Sequence, residues 1–334
     1  MPKPPNDLPT IAGIRQAAER IKGEAVRTPL LASPALAGRL GGNVLLKCET
    51  LQRTGSFKFR GAYNALAALA PKERAKGVVA MSSGNHAQGV AEAARIFGIA
   101  ATIVMPVDAP DIKRAGVIGR GGRIVDYDRA REDREAVAAK VLAAEGGTLV
   151  HPYNDRNVIA GQGTIGLEVA DDAEALGITP DAVLIPCGGG GLSAGIGTAL
   201  RARSPDTDLF IVEPRDFDDY GRSLAAGTIL ANRSASGSVC DALLAPSPGA
   251  IGFALNQNNL TDAFAVSDEE ALAAVAYAFR ELKLIVEPGG AVALAALLAG
   301  RFDCRGRTVI AVLSGANIDD AILARALAMP TTSM

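Results

Sequence analysis

Lys58 stands between two phenylalanines in the stretch Thr54-Gly55-Ser56-Phe57-Lys58-Phe59-Arg60-Gly61-Ala62. An amine held among apolar side chains loses hydration. That favours the neutral form, which can make a Schiff base or take a proton. A solvated lysine beside two core phenylalanines is the plain alternative.

Four consecutive glycines, Gly188 to Gly191, follow the apolar run Ala182-Val183-Leu184-Ile185 and precede Leu192. Without Cβ atoms, successive backbone N–H groups can converge on one anion, and a helix start behind them adds partial positive charge. That suits a single phosphate group, whereas the Gly-Lys-Ser/Thr ending of a nucleotide loop is absent. A merely flexible turn is the alternative, at a cost in chain entropy. Ser82-Ser83-Gly84-Asn85-His86 sits at another strand-to-helix junction. Its hydroxyls and free N–H groups can seat a carboxylate, or serve as an ordinary cap. His86 reads as structural. Glu213-Pro214-Arg215-Asp216-Phe217-Asp218-Asp219 follows a strand, and its oxygens suit Mg²⁺, Ca²⁺ or a monovalent cation against the default of a solvated acidic loop. Ser314 ends a buried run and could hydrogen-bond a ring nitrogen. Gly161-Gln162-Gly163-Thr164-Ile165-Gly166 has dinucleotide-fingerprint spacing, but no strand precedes it and no acidic residue follows at the right place. Close helix packing is expected there instead.

The pattern around these residues is one of strands alternating with helices. Thr10 caps a helix with Ile11, Ile14, Ala18 and Ile21 on one face, ended by Gly23. Strands are expected at 44–49, 78–81, 101–105, 123–125 and 148–150, with helices at 87–97, 111–118 and 129–145. A second block holds helices at about 161–175 and 193–203 and strands at 182–185, 209–212 and 308–313. Residues 234–252 read as irregular, and Ser267-Asp268-Glu269-Glu270 as a capping box.

A chain of 334 residues accommodates two ordinary domains. Apolar residues at 49% with aromatics at 4% suit an α/β protein of buried strands and alanine-rich helices. The net charge of −2 argues against nucleic acid or a membrane surface as partner. Cys48, Cys187, Cys240 and Cys304 form no close pair, and the chain has only 2 histidines. No zinc site is expected, and the thiols suit a reducing compartment. Neither a signal peptide nor an apolar run of about 20 residues is present, so a soluble cytoplasmic protein is expected.

In this order the motifs resemble the fold-type II pyridoxal-phosphate (PLP) enzymes, and within them the serine/threonine dehydratase and serine racemase group. The resemblance spans essentially the whole chain. It rests on 54–62, Ser82 to His86, His151-Pro152, Ile159-Ala160-Gly161-Gln162-Gly163-Thr164, Gly188 to Gly191, Glu287-Pro288-Gly289-Gly290-Ala291 and Ser314-Gly315-Ala316-Asn317. It implies an α/β fold like that of the tryptophan synthase β chain: two doubly wound open-sheet domains with the cofactor between them. Residues 1–70 and 155–334 would form the large PLP-binding domain, and 71–154 the small substrate-side domain. Lys58 would carry PLP as a Schiff base and take the Cα proton. Phe57 would pack on the ring, Asn85 would bond its 3-hydroxyl, and Ser314 the pyridine nitrogen. Gly188, Gly189, Gly190, Gly191 and Leu192 would hold the phosphate, with Glu287 a nearby acid. Ser82, Ser83, Gly84, Asn85 and His86 would hold the substrate carboxylate, and Ser83 would be the opposite-face acid in any racemisation. A divalent cation, Mg²⁺ or else Mn²⁺ or Ca²⁺, would be held by Glu213, the Phe217 carbonyl and Asp219. A homodimer is implied as well.

The activity implied first is that of an L-threonine/L-serine ammonia-lyase, a dehydratase releasing a 2-oxo acid and ammonia. The alternatives are a dehydratase of 3-hydroxyaspartate or another small 3-hydroxy amino acid, a serine racemase, and a non-catalytic PLP-binding protein. Threonine synthase and β-replacement enzymes fit less well, because the cation loop belongs to the dehydratase and racemase branch. The segment Ser236 to Gly249 departs from the group's usual Ala-Asp-Gly pattern, with Ala242 where glycine is common, and Tyr153 replaces a frequent Phe or Asn. Those departures leave the substrate open, and several arginines could meet a second carboxylate. Ser33, Arg53 and Gln88 match the nucleotide site of animal racemases only partly, so nucleotide activation is not expected, nor is a regulatory domain after the core.

Overall fold

Strands alternating with helices along the chain build two sheets. The computed structural model describes residues 8–82 and 84–329. Its strands are β1 (Leu30–Ala32), β2 (Asn43–Cys48), β3 (Val78–Met81), β4 (Ala101–Pro106), β5 (Arg123–Tyr127), β6 (Thr148–Leu149), β7 (Ala182–Pro186), β8 (Asp208–Pro214), β9 (Asp262–Val266) and β10 (Thr308–Leu313). One sheet is six-stranded in the order β1-β2-β10-β7-β8-β9, and the other four-stranded in the order β5-β4-β3-β6. The pairings are parallel except that β1 lies antiparallel to β2 at the edge. The fold is α/β, as expected.

The large sheet is buried on both faces, which is why its strands read as unbroken apolar runs. Leu184, Val309, Ala311 and Leu313 pack into one core with the helix Pro288–Leu298, while Val183, Ile185, Ile310 and Val312 face a second core with the helices Arg156–Ala175 and Gly191–Arg203. The small sheet's core takes Phe59, Ala62 and Leu66 from the helix Lys58–Ala68.

Helix starts fall earlier than the apolar pattern suggests, and this places chemistry on them. Lys58 is the first residue of its helix, and Asn85 opens the helix Asn85–Phe97. Asp155 caps Arg156–Ala175 by accepting from the N–H groups of Asn157 and Val158, so that helix begins before the glycine pattern. Conversely, the helix expected from 129 is Arg134–Glu145, because Asp133 accepts from Ala136 N at 2.8 Å and stops it there. The helices Asp219–Ala226 and Ala250–Asn259 and strand β9 were not among the sequence expectations, and the second of these helices ends the stretch read as irregular. Ser267 and Glu270 form the expected capping box. The 161–166 glycines lie within a helix: a Cβ on Gly163 would stand 2.9 Å from Gly195 O, and one on Gly161 would stand 2.6 Å from Arg60 O. Close helix packing is therefore their role.

Parallel pairing brings strand ends into line. Leu313 sits beside Cys48, and Pro186 beside Val212. The segments leaving β2, β7 and β10 therefore share the carboxyl edge of one sheet, the usual place for a ligand in an α/β fold. Among the described residues no helix is long and apolar enough to cross a membrane.

Candidate active site

A cleft opens at this edge, with about 920 Å³ of space between the two sheets' segments when the solvent at its mouth is included. Phe57 and Lys58 line it from the lysine helix, Gly188 to Leu192 from beyond β7, and Ser314 from the end of β10. Glu287 lines it too, while Ser82, Gly84, Asn85 and His86 reach it from the small sheet. The residues expected to bind cofactor and substrate thus converge from distant parts of the chain. Ser83 lies outside the described residues.

Lys58 is held by its neighbours rather than by a carboxylate. Its Nζ donates to Pro152 O at 2.8 Å and lies 5.1 Å from the centre of the Phe57 ring. Desolvation pushes its amine down to about 8, so a good fraction is neutral and nucleophilic near physiological pH. Arg60, two residues on, anchors the same helix. It is fully buried, and its guanidinium meets Glu49 at 2.9 Å and Glu168 at 2.7 Å.

The glycine run has the chemistry of an anion cradle. The N–H groups of Gly188, Gly189 and Gly190 have no acceptor among the described residues, although Gly189 and Gly190 are buried. The run leads into the start of the helix Gly191–Arg203, where free N–H groups favour negative charge. Glycine is required here. Gly190 has φ +84°, and a Cβ on it would stand 2.1 Å from the Tyr220 ring, as one on Gly189 would stand 2.3 Å from Tyr153. The donor set fits the phosphate of PLP.

On the opposite side, Gly84 caps the helix Asn85–Phe97, and its N–H donates to Ser82 Oγ at 3.2 Å. Asn85 Nδ2 donates to Glu287 Oε1 at 2.5 Å. His86 Nε2 meets Val150 O at 2.9 Å, so that nitrogen carries the proton, and burial holds the ring neutral by lowering its value to about 3. Backbone N–H groups of Tyr153 and Asn154 donate to His151 Nδ1, which fixes that ring as neutral also.

Sequence reasoning missed Lys113, Arg134 and Asp241, all of which line the cleft. Lys113 had a signal: it shares the buried stripe Ala109, Lys113, Val117 at helical spacing, where a lysine is out of place. Arg134 had none, since only the tertiary fold turns its helix toward the cleft.

Glu213, Phe217 and Asp219 do not line this cleft. The Glu213 carboxylate accepts from the N–H groups of Tyr220 at 3.0 Å and Gly221 at 2.8 Å, closing the start of the helix Asp219–Ala226. Asp219 Oδ1 accepts from Asn232, while Oδ2 is buried without a hydrogen-bond partner. Burial raises both carboxyl groups, Glu213 well above its usual range and Asp219 to about 6. An all-oxygen set with one orphaned carboxylate oxygen fits a hard cation. Among the described residues no group of three or more His, Cys, Asp or Glu side chains is placed to hold a metal.

Comparison with known proteins agrees with this chemistry. The family model for pyridoxal-phosphate dependent enzymes matches residues 21–315. An L-threo-3-hydroxyaspartate ammonia-lyase of Pseudomonas sp is 41% identical over 304 residues, covering 91% of this chain and 94% of that protein. A serine racemase of Arabidopsis thaliana is 39% identical, over 92% of this chain and 93% of that protein. The crystal structure of a threonine deaminase from T.th. matches with a TM-score of 0.88 at 43% identity, covering 93% of this chain and 99% of that one. The chain belongs to the fold-type II pyridoxal-phosphate-dependent enzymes, in their ammonia-lyase and racemase branch, and is a lyase.

Proposed function

We propose that this lyase removes water from a small 3-hydroxy amino acid and that its preferred substrate is 3-hydroxyaspartate. The observation that carries the choice of substrate is Arg134. Its guanidinium stands against the Tyr153 hydroxyl, and its Nη2 is buried at the cleft with no carboxylate to accept from it. A buried guanidinium N–H left unsatisfied is unfavourable, and a carboxylate is its natural complement. Of the two lysines at the cleft, Lys113 is already engaged by Asp241, and Lys58 donates to Pro152 O and is the residue expected to carry PLP. The 41% identity to an L-threo-3-hydroxyaspartate ammonia-lyase supports the same reading.

PLP bound here supplies the electron sink that makes the substrate Cα–H acidic. Gly188 to Leu192 would hold its phosphate, Asn85 and Ser314 would meet its ring, and Phe57 would pack on it. The helix start at Gly84 and Asn85, with Ser82 beside it, orients the substrate's α-carboxylate, and Arg134 its second carboxylate. The desolvated Lys58 amine takes the Cα proton. Loss of that proton and of the β-hydroxyl removes one water. The released enamine tautomerises to an imine and takes a water back, giving the 2-oxo acid and ammonia. Ser83 keeps its proposed role as the acid on the opposite face. The division into 1–70 with 155–334 and 71–154, a homodimer and a cytoplasmic setting belong to this proposal on the family resemblance alone. Sedimentation of the purified protein tests the dimer.

L-threonine or L-serine is the second reading. Ala242, Leu244 and Ala245 form an apolar wall of the cleft that suits a methyl group. The deciding assay is 2-oxo acid release from both 3-hydroxyaspartate diastereomers and from L- and D-serine and threonine, with PLP and Mg²⁺ present. Faster turnover of a hydroxyaspartate is expected, with Arg134→Ala raising its KM about tenfold or more and sparing that of threonine. A preference for L-threonine or L-serine that Arg134→Ala leaves intact would move the function to the second reading.

We also propose that Glu213, the Phe217 carbonyl and Asp219 hold a divalent cation such as Mg²⁺. Chelation is expected to lower the melting temperature and Mg²⁺ to restore it. An unchanged melting curve after verified ion removal rejects those ligands.

A further inference from the structure

A line of polar side chains crosses the cleft from the four-stranded sheet's helices to the six-stranded sheet. Lys113 Nζ donates to Asp241 Oδ2 at 2.5 Å and lies 3.8 Å from Glu287 Oε2. Glu287 Oε1 accepts from Asn85 Nδ2 at 2.5 Å, and Asn85 Oδ1 accepts from Asn317 Nδ2 at 2.7 Å. Asn317 Nδ2 also donates to Thr54 O at 2.8 Å, four residues before Lys58.

Orientation propagates along this line from its far end. A backbone carbonyl only accepts, so Thr54 O fixes the amide nitrogen of Asn317. That nitrogen can only donate, so the oxygen of Asn85 must face it. The nitrogen of Asn85 is thereby turned to Glu287, which must accept. The amide has two N–H groups, and the second is left for the cleft that Asn85 lines.

The weak point is Glu287. Its side chain is 2% exposed, Oε2 has no hydrogen-bond partner, and the cation facing that oxygen is Lys113. Burial raises the Glu287 carboxyl to about 7, and Lys113 acts against that rise while Asp241 adds to it. Lys113 is itself 3% exposed, and its stem passes along Gly84, where a Cβ would stand 3.1 Å from its Cδ.

We propose that Lys113 is a positioning residue: its ammonium, facing Glu287 Oε2, favours the charged carboxylate, which holds the nitrogen end of the Asn85 amide so that one N–H is presented to the ring of the bound cofactor. This rests on the PLP reading of the cleft. Lys113→Met weakens the charge-assisted hydrogen bond from Asn85 to Glu287 to a neutral one, so the amide, still oriented by Asn317, is held less tightly at its nitrogen end.

The test uses the purified holoenzyme and reads PLP retention on equilibrium dialysis, the absorbance maximum of bound PLP, and kcat and KM for 2-oxo acid release. Lys113→Met is expected to weaken PLP binding and lower kcat, each about tenfold or more, with a shifted absorbance maximum and little change in KM. Lys113→Arg is expected to restore all three. In a Glu287→Gln background, where the acceptor is neutral, adding Lys113→Met should cost nothing further in PLP affinity. That double variant carries the test should the single one fail to fold, since it removes both charges of the pair. Unchanged PLP binding and absorbance in Lys113→Met, or an additive loss in the double variant, overturns the assignment. A wild-type protein that retains no PLP overturns the cofactor reading itself.

Discussion

Lys58 shows what burial does to a single group. No carboxylate neutralises its ammonium in the cleft, and its hydrogen bond to Pro152 O directs the amine without stabilising the charge as an ion pair would. With the amine lowered to about 8, its neutral fraction rises as pH increases through that value. PLP capture by the PLP-free protein should therefore accelerate about tenfold per pH unit below that point and level off above it. Stopped-flow absorbance measures this, and a rate independent of pH from about 6 to 9 would refute the depressed amine. Both flanking phenylalanines and the glycine turn were legible as a site for an activated lysine. The proline carbonyl that holds it, 94 residues away, was not.

At the level of elements, the helix start is the recurring device. The helices Asn85–Phe97 and Gly191–Arg203 begin at the cleft, one beside the candidate carboxylate seat and the other beside the candidate phosphate cradle. The glycine run works because its backbone turns where a side chain would not fit. Gly190→Ala places a Cβ at positive φ and into Tyr220, so the loop must shift. PLP retention on dialysis should fall about tenfold or more, through displaced N–H groups. Retention equal to that of the native protein would mean that the loop does not hold the phosphate. The four glycines marked this loop in the sequence, but the tyrosines that press on it come from positions 153 and 220, which no local pattern links to it.

Across the whole molecule, the cleft is shared: segments leaving the large sheet supply Lys58, the glycine run and Ser314, with Glu287 beside them, and the small sheet's side supplies Ser82, Gly84, Asn85, His86, Lys113 and Arg134. A ligand seated there binds only the folded arrangement, so saturating PLP should raise the melting temperature. At a hundredfold excess over its dissociation constant the gain is about 2.7 kcal/mol. Scanning calorimetry with and without PLP checks this, and an unmoved transition would argue against a site built from both sheets. Local physics sufficed for much of the rest. Apolar runs specify buried strands, Ser267 and Glu270 specify a helix start, and the order of motifs carried the family and its cofactor chemistry. Those features act within a few residues of one another, so they can be read in order along the chain. The pairing of β2 with β10 joins residues more than 260 positions apart, and the line from Asp241 through Lys113, Glu287 and Asn85 to Asn317 exists only once that pairing and the small sheet are in place. That Arg134 lines the cleft and that Lys113 stands beside Glu287 are therefore decided by tertiary packing, because a side chain's partner depends on distance in space and not on separation along the chain.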